Sequence, residues 1–426
     1  MAFFERIFVI VLFFLSMQVG IALTRPDEAE IDPGAVSAPV HMLDTAIEAV
    51  VDGYGVLLIL LRWRRVTDAI WAVWPLLGLA ALAALSAAWS DQPILTLRRS
   101  ALLFLSTFLA IYLGERYSLP EQMQLLANTF CLMILAILIL RIAAPSYVVD
   151  YVSHPGAWKG LSAYKNAFGQ YMAIAVALLS LVRFCQFDWL RYAFLIAATG
   201  MLLLSQSAAS VFCCVLVVAV MPLWRWARVT EKQQLPIYTM ATIVLVAGMY
   251  FMTTHTWVVL NLLGRNSTLT GRTQLWASVW GAIMKRPILG YGYDTFWASM
   301  RGEALDVRIG AGWLAQRADN GFLDLGLSLG ALGMSLFVFV FALSFRRSID
   351  YLKSEPHATG LWPITYLCIF LVQNMSESTL LTRGTFPLLV FVMITTSLAL
   401  NGSRAEIANV TPDIQQSESK LVPYAL

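Results

Sequence analysis

The sequence predicts an all-α polytopic membrane protein of about 12 transmembrane helices, with one large loop before the last three. Hydrophobic residues make up 59% of the 426 residues and charged residues only 13%, against about 25% charged in a soluble domain. A soluble surface needs that charge, and lipid as solvent removes the need. Apolar runs of about 20 residues, the length that crosses bilayer hydrocarbon, recur along the chain.

The runs fall at about 7–23, 69–89, 101–114, 124–143, 167–184, 189–204, 208–224, 236–254, 322–343, 361–375 and 384–400, with a weaker one at about 45–61 interrupted by Glu48 and Asp52. The first begins behind Phe3-Phe4-Glu5-Arg6, and Ile21-Ala22-Leu23-Thr24 makes a poor cleavage site, so it is read as a span rather than a signal peptide. Basic residues in short loops orient the bundle. Arg62, Arg64 and Arg65, then Arg225, Arg228 and Lys232, then Arg346, Arg347 and Lys353 all fall on the cytoplasmic side if the weak span is counted and both termini are inside. The organisation expected is nine spans in 1–254, a periplasmic loop at 255–321, three spans in 322–400 and a polar cytoplasmic tail at 401–426. The five cysteines all lie in or beside apolar runs and form no CxxC pair, so neither a disulfide framework nor a zinc site is expected.

The loop at 255–321 carries the chemistry. Loops this long are usually functional or disordered. This one holds Trp257, Trp276, Trp280, Tyr291, Tyr293, Phe296, Trp297 and Trp313, aromatics that can pack together or stack on sugar rings. Leu275, Trp276, Val279, Trp280, Ile283 and Met284 recur at helical spacing, which predicts an amphipathic helix in the membrane interface. Lys285 and Arg286 fall in its last turn, where the helix dipole favours cations. Arg272 opens the helix, where the dipole does not. Pro287 ends it, and Gly290-Tyr291-Gly292 permits a tight turn.

Asp319 and Asn320 precede the next span; either can be its N-cap as readily as a functional group. Asp324 lies about one turn inside the apolar segment. Glu377 occupies the last outer loop, where Arg383 is an available partner. Arg98, Arg99 and Lys165 stand in short outer loops or at span ends, where a cation either finds an anionic partner or snorkels to headgroups. Together these residues form an outward-facing group of cations, carboxylates and aromatics suited to an anionic, sugar-bearing, lipid-anchored substrate.

A family resemblance enters here. Gly271-Arg272-Thr273-Gln274-Leu275-Trp276, Lys285-Arg286-Pro287-Ile288-Leu289-Gly290-Tyr291-Gly292 and Asp319-Asn320-Gly321-Phe322-Leu323-Asp324 resemble the O-antigen ligase and Wzy-type polysaccharide polymerase superfamily, most nearly its succinoglycan-type exopolysaccharide polymerases. Lys165-Asn166-Ala167-Phe168-Gly169, Ser205-Gln206-Ser207 and Ser376-Glu377-Ser378-Thr379-Leu380-Leu381 fit as well, so the resemblance runs in order over about residues 90–410.

The resemblance implies a GT-C-like glycosyltransferase architecture in the bacterial inner membrane, with the site facing the periplasm. It implies metal-independent, inverting transfer from a polyprenyl-pyrophosphate-linked oligosaccharide to a sugar hydroxyl, without cofactor. Membrane lipid, a chain-length regulator and export machinery are the partners it implies; nucleic acid is not among them. Arg272 and Arg286 are the expected pyrophosphate ligands, with Arg98, Arg99, Lys165, Asn320 and Tyr291 as further substrate-binding candidates. Many family members carry His where this chain has Asp319, so Asp319 is the first candidate for general base and Glu377 the second. A ligase differs from a polymerase only in its acceptor. A flippase would place its polar site near the membrane midplane between internal repeats, and no such repeat is visible. An assembly scaffold without chemistry is the remaining alternative.

Overall fold

The computed structural model describes residues 2–17, 62–152, 154–182, 188–229, 270–355 and 358–402, with scattered positions between 19 and 60. The expected span at 236–254, most of that at 45–61, Trp257 and the tail from 403 lie outside the described residues. So do Lys232 and the side chains of Arg65, Arg225 and Arg228.

Among the described residues the regular structure is helical, apart from one isolated bridge between Val149 and Trp158. In chain order the helices are α1 (Ala2–Ser16), α2 (Trp63–Ala72), α3 (Trp74–Leu85), α4 (Pro93–Arg116), α5 (Leu119–Ala143), α6 (Lys165–Leu181), α7 (Asp188–Leu204), α8 (Ala208–Val229), α9 (Thr270–Lys285), α10 (Glu303–Ala311), α11 (Gly321–Ser354), α12 (Leu361–Gln373) and α13 (Phe386–Gly402). Of these, α4, α5 and α11 are long and apolar enough to cross a membrane. The run at 69–89, read from hydropathy as one span, is divided between two helices bent by 86° at Val73. The overall count of about 12 spans rests partly on segments outside the described residues.

The main core gathers under the loop that joins α12 to α13. Phe386, at the start of α13, receives the ring edges of Phe13, Phe130 and Tyr171 at 5.8, 5.5 and 5.9 Å. It thereby locks α1, α5 and α6 together, and such edge-to-face pairs add to simple burial. At the far end of α4, buried Glu5 accepts from Tyr112 Oη at 2.7 Å and Arg116 Nε at 2.9 Å, which ties α1 to α4.

The expected long span at 322–343 is real but broken. Gly330 has φ 60° and ψ −157° inside α11, a conformation open essentially to glycine. The break strips α11 of backbone bonds, and buried amides left without partners are costly. The segment following α9 replaces them. Ala331 N donates to Pro287 O at 2.8 Å and Leu332 N to Ile288 O at 3.1 Å. In return Tyr291 N donates to Leu327 O at 2.8 Å and Gly292 N to Ser328 O at 3.1 Å. The Pro287–Gly292 motif is therefore a backbone clip seated in a helix break. A Cβ on Gly330 would stand 2.4 Å from Ile288 O. Gly330→Ala is expected to cost roughly 2–5 kcal/mol through backbone strain and overpacking together, read as a lowered melting temperature of the detergent-purified protein.

Residues 270–318 form a small core of their own. Leu275, Val279 and Ile283 of α9 pack against Ala304, Val307 and Ala311 of α10. This corrects the expectation of one continuous apolar face on α9. Its Leu275-Val279-Ile283 half turns into the small core, while Trp280 and Met284 remain exposed. Buried Arg308 holds the turns after both helices. Its Nε donates to Ala315 O (2.9 Å), its Nη1 to Ser299 O (2.6 Å) and Ala304 O (3.3 Å), and its Nη2 to Trp297 O (2.7 Å). Arg308→Ala leaves these carbonyls without their donor and should destabilise the unit by at least about 3 kcal/mol. Limited proteolysis between 296 and 316 should then run at least about tenfold faster.

Candidate functional site

Three segments meet above the main core: the N-terminus of α11, the α12–α13 loop and the residues just before α6. Asn320 is the N-cap of α11, its Oδ1 accepting from Phe322 N at 3.0 Å and Leu323 N at 3.2 Å. Its Nδ2 donates to Met375 O and its backbone N to Ser378 Oγ, each at 3.2 Å. Gly321 N donates to Asn374 O at 2.8 Å. A Cβ on Gly321 would come within 2.3 Å of Asn374 Oδ1, so only glycine lets the two segments close. The Asp-Asn-Gly motif thus splices the α12–α13 loop onto α11. Asn320, a substrate-binding candidate from sequence, has both amide atoms engaged in that splice.

The splice delivers Glu377 beside Asp319. Glu377 is 6% exposed and accepts from Tyr164 Oη at 3.3 Å. Desolvation pushes its carboxyl up to about 7, with Asp319 adding to the rise while Arg272, Arg317 and the Tyr164 hydroxyl oppose it. Asp319 has a left-handed backbone, φ 48°, and its Oδ2 lies 3.4 Å from Arg272 Nη2. Arg272, in the first turn of α9, is therefore brought to the cluster by a carboxylate and not by the dipole of its own helix.

Asp324 accepts from Trp297 Nε1 at 2.7 Å and from Ala318 N at 3.2 Å. That places the carboxylate inside α11 as the fastener between the small core and the site. Asp294, φ 56°, joins two cations. Arg383 Nη1 donates to its Oδ2 at 2.5 Å, while Arg99 Nη1 donates to its carbonyl and lies 3.6 Å from Oδ2. Arg317, half-buried, is electrostatically coupled to Tyr164, Asp324, Asp294 and Glu377.

The structure gathers Arg272, Asp319, Asn320 and Glu377 directly and brings Arg99 in through Asp294. Lys165 opens α6 immediately after Tyr164. Arg286 is elsewhere. Fourteen residues of helical rise put it about 21 Å along α9 from Arg272. There it pairs with Asp91 at 3.4 Å and lies 4.7 Å over the Tyr291 ring. The expectation that Arg272 and Arg286 close on one diphosphate is accordingly revised: as placed, they serve different neighbourhoods. Tyr291 is buried and donates to Ala282 O at 2.8 Å, which makes it part of the small core. Arg98 is exposed and without a hydrogen bond or ion pair among the described residues. Sequence reasoning did not select Tyr164, Asp294 or Arg317 as site residues. Tyr164 adjoins the Lys165 motif and Arg317 lies two residues before Asp319, but nothing in their spacing marks them.

An apolar cleft of about 720 Å³ adjoins the cluster, lined by Trp276, Trp280, Phe322, Leu323, Leu371 and Met375, with Asn320 as a polar member of its wall. It lies where α9 crosses the ends of α11 and α12, beside the charged groups. Among the described residues, no group of three or more His, Cys, Asp or Glu is placed to hold a metal ion.

Residues 192–338 match the family model described as O-Antigen ligase. The match covers about a third of the chain. It holds Arg272, Asp294, Arg317, Asp319 and Asp324, and stops before Glu377. The chain is also 30% identical over 106 residues to the exopolysaccharide production protein ExoQ of Rhizobium meliloti (strain 1021), a match spanning 23% of each chain. Less than a quarter of that relative's length is thus covered. With several apolar helices and a segment that matches the O-antigen ligase model, the chain is a multi-pass membrane protein.

Proposed function

We propose that this protein polymerises exopolysaccharide repeat units at the periplasmic face of the inner membrane, by inverting glycosyl transfer from a polyprenyl-pyrophosphate-linked glycan to an acceptor sugar hydroxyl. The observation that carries the reading is the juxtaposition of a buried, high-pKa carboxyl, Glu377, with the Arg272–Asp319 pair beside an apolar cleft. The cleft suits a prenyl chain, and the guanidinium suits a phosphate oxygen.

In this reading the acceptor oxygen attacks the anomeric carbon from the face opposite the diphosphate. The bond from that carbon to the diphosphate oxygen breaks, and the acceptor's proton passes to Glu377. Negative charge gathers on the departing diphosphate, and preorganised Arg272 stabilises it. Asp319 ranks below Glu377 as base because its carboxylate is committed to Arg272. Its role is to orient that guanidinium.

The name of the matched family favours a second reading, in which the same transfer moves a finished glycan to a different acceptor. Cells lacking the protein separate the two. Lipid-linked single repeats accumulate if it is a polymerase, and long chains remain on the carrier lipid if it is a ligase. Normal polymer together with normal carrier-linked glycan in such cells would rule out both.

A further inference from the structure

The half-buried guanidiniums at this end of the molecule can be accounted for one by one. Arg272 pairs with Asp319, Arg99 and Arg383 share Asp294, and Arg308 is bonded to four carbonyls. Arg317 is the exception: it makes no ion pair or hydrogen bond among the described residues. The anions around it already have donors of their own. Asp324 is held by Trp297 and Ala318, Asp294 by Arg99 and Arg383, and Glu377 by Tyr164. The surrounding anions favour its charge through space, but none takes a hydrogen bond from it, so the donors of its guanidinium stay open to a ligand. Its immediate neighbours in sequence are fixed in place. Ala318 N is bonded to Asp324, Ala318 O accepts from Trp276 Nε1 at 2.8 Å, and Asp319 is tied to Arg272. The backbone that carries Arg317 is therefore fixed in place beside the site.

We infer that Arg317 is a substrate-binding residue whose guanidinium, free of direct bonds, takes a phosphate oxygen of the lipid carrier near Glu377. This rests on the proposed transfer from a lipid diphosphate. It moves the second arginine of the diphosphate site from Arg286 to Arg317. Arg317 thus supplies from within the cluster the charge that Arg286, at the far end of α9, does not reach.

The test uses the full-length protein in lipid nanodiscs and three probes of equal chain length: polyprenyl diphosphate, polyprenyl monophosphate and the free polyprenol. The wild type should bind the diphosphate most tightly. Arg317→Ala should weaken diphosphate binding about 10- to 100-fold, the loss of one charge-assisted contact, and leave polyprenol binding unchanged. Arg317→Lys should fall between the two, and Arg301→Ala, an exposed charge in the same loop, should bind as wild type does. Unchanged diphosphate affinity in Arg317→Ala, with wild type still preferring the diphosphate, would overturn the inference alone. Equal loss of all three probes in both Arg317→Ala and Arg317→Gln would make Arg317 a structural residue and overturn it too. A wild type indifferent to phosphate would overturn the lipid-diphosphate reading beneath it.

Discussion

Arg272→Ala is expected to abolish polymer and to leave lipid-linked single repeats in the membrane, while Arg286→Ala retains most of its polymer. The difference follows from position. Arg272 is anchored by Asp319 beside Glu377, whereas Arg286 is exposed and bonded to Asp91. Removing one preorganised charge from a developing anion costs about 10²–10³-fold in turnover, and a rim cation costs far less. Asp319→Asn should fall between the two, because it loosens Arg272 without removing it. Arg272→Lys should recover only part of the activity, since an ammonium keeps the charge but not the two-pronged geometry. The readout is the ratio of single-repeat to multi-repeat glycan in extracted carrier lipid. Equal defects in Arg272→Ala and Arg286→Ala would contradict the assignment.

Glu377→Gln is expected to lower kcat/KM by about 10²–10⁴-fold, the usual contribution of a general base. It should also remove the pH dependence. The sign follows from the ionisation. A base works as the carboxylate, and desolvation holds the Glu377 carboxyl up to about 7. The wild-type kcat/KM should therefore climb about tenfold per pH unit below 7 and level off above it. Donor binding brings a second anion near the carboxylate, which raises its pKa further. The kcat profile should then bend at a higher pH than the kcat/KM profile. Stability runs the other way: since the folded pKa lies above the unfolded value, the folded state loses stability as pH rises from about 4.5 to about 7. Glu377→Gln should flatten the activity profile and remove this carboxyl's share of the stability loss.

Much of the helical plan could be read in the sequence, since hydropathy reports lipid-compatible length. The expected runs at 124–143 and 189–204 correspond to α5 and α7 within a few residues. Hydropathy is blind to the backbone path. A continuous apolar run spans both the Gly330 break and the bend at Val73, and neither changes mean polarity. The break is legible only together with the Pro287–Gly292 clip that fills it, a pairing made by tertiary structure. The motif at 319–324 lies where the segments meet, but composition could not say that Asn320 is a cap, Asp319 an anchor and Asp324 a fastener. The separation of Arg272 from Arg286 was available from helical rise alone, because both sit on one predicted helix. Tyr164, Asp294 and Arg317 meet only once four distant segments converge, and no local periodicity encodes that.

The most direct test of the central claim is turnover by the purified protein supplied with a defined polyprenyl-pyrophosphate oligosaccharide, with the length of the lipid-linked products resolved. The account predicts products of two or more repeats with inverted configuration at the new bond, free polyprenyl diphosphate released in step with each bond formed, and neither product from Arg272→Ala or Glu377→Gln. Retention of configuration, or full product formation by Glu377→Gln, would contradict it.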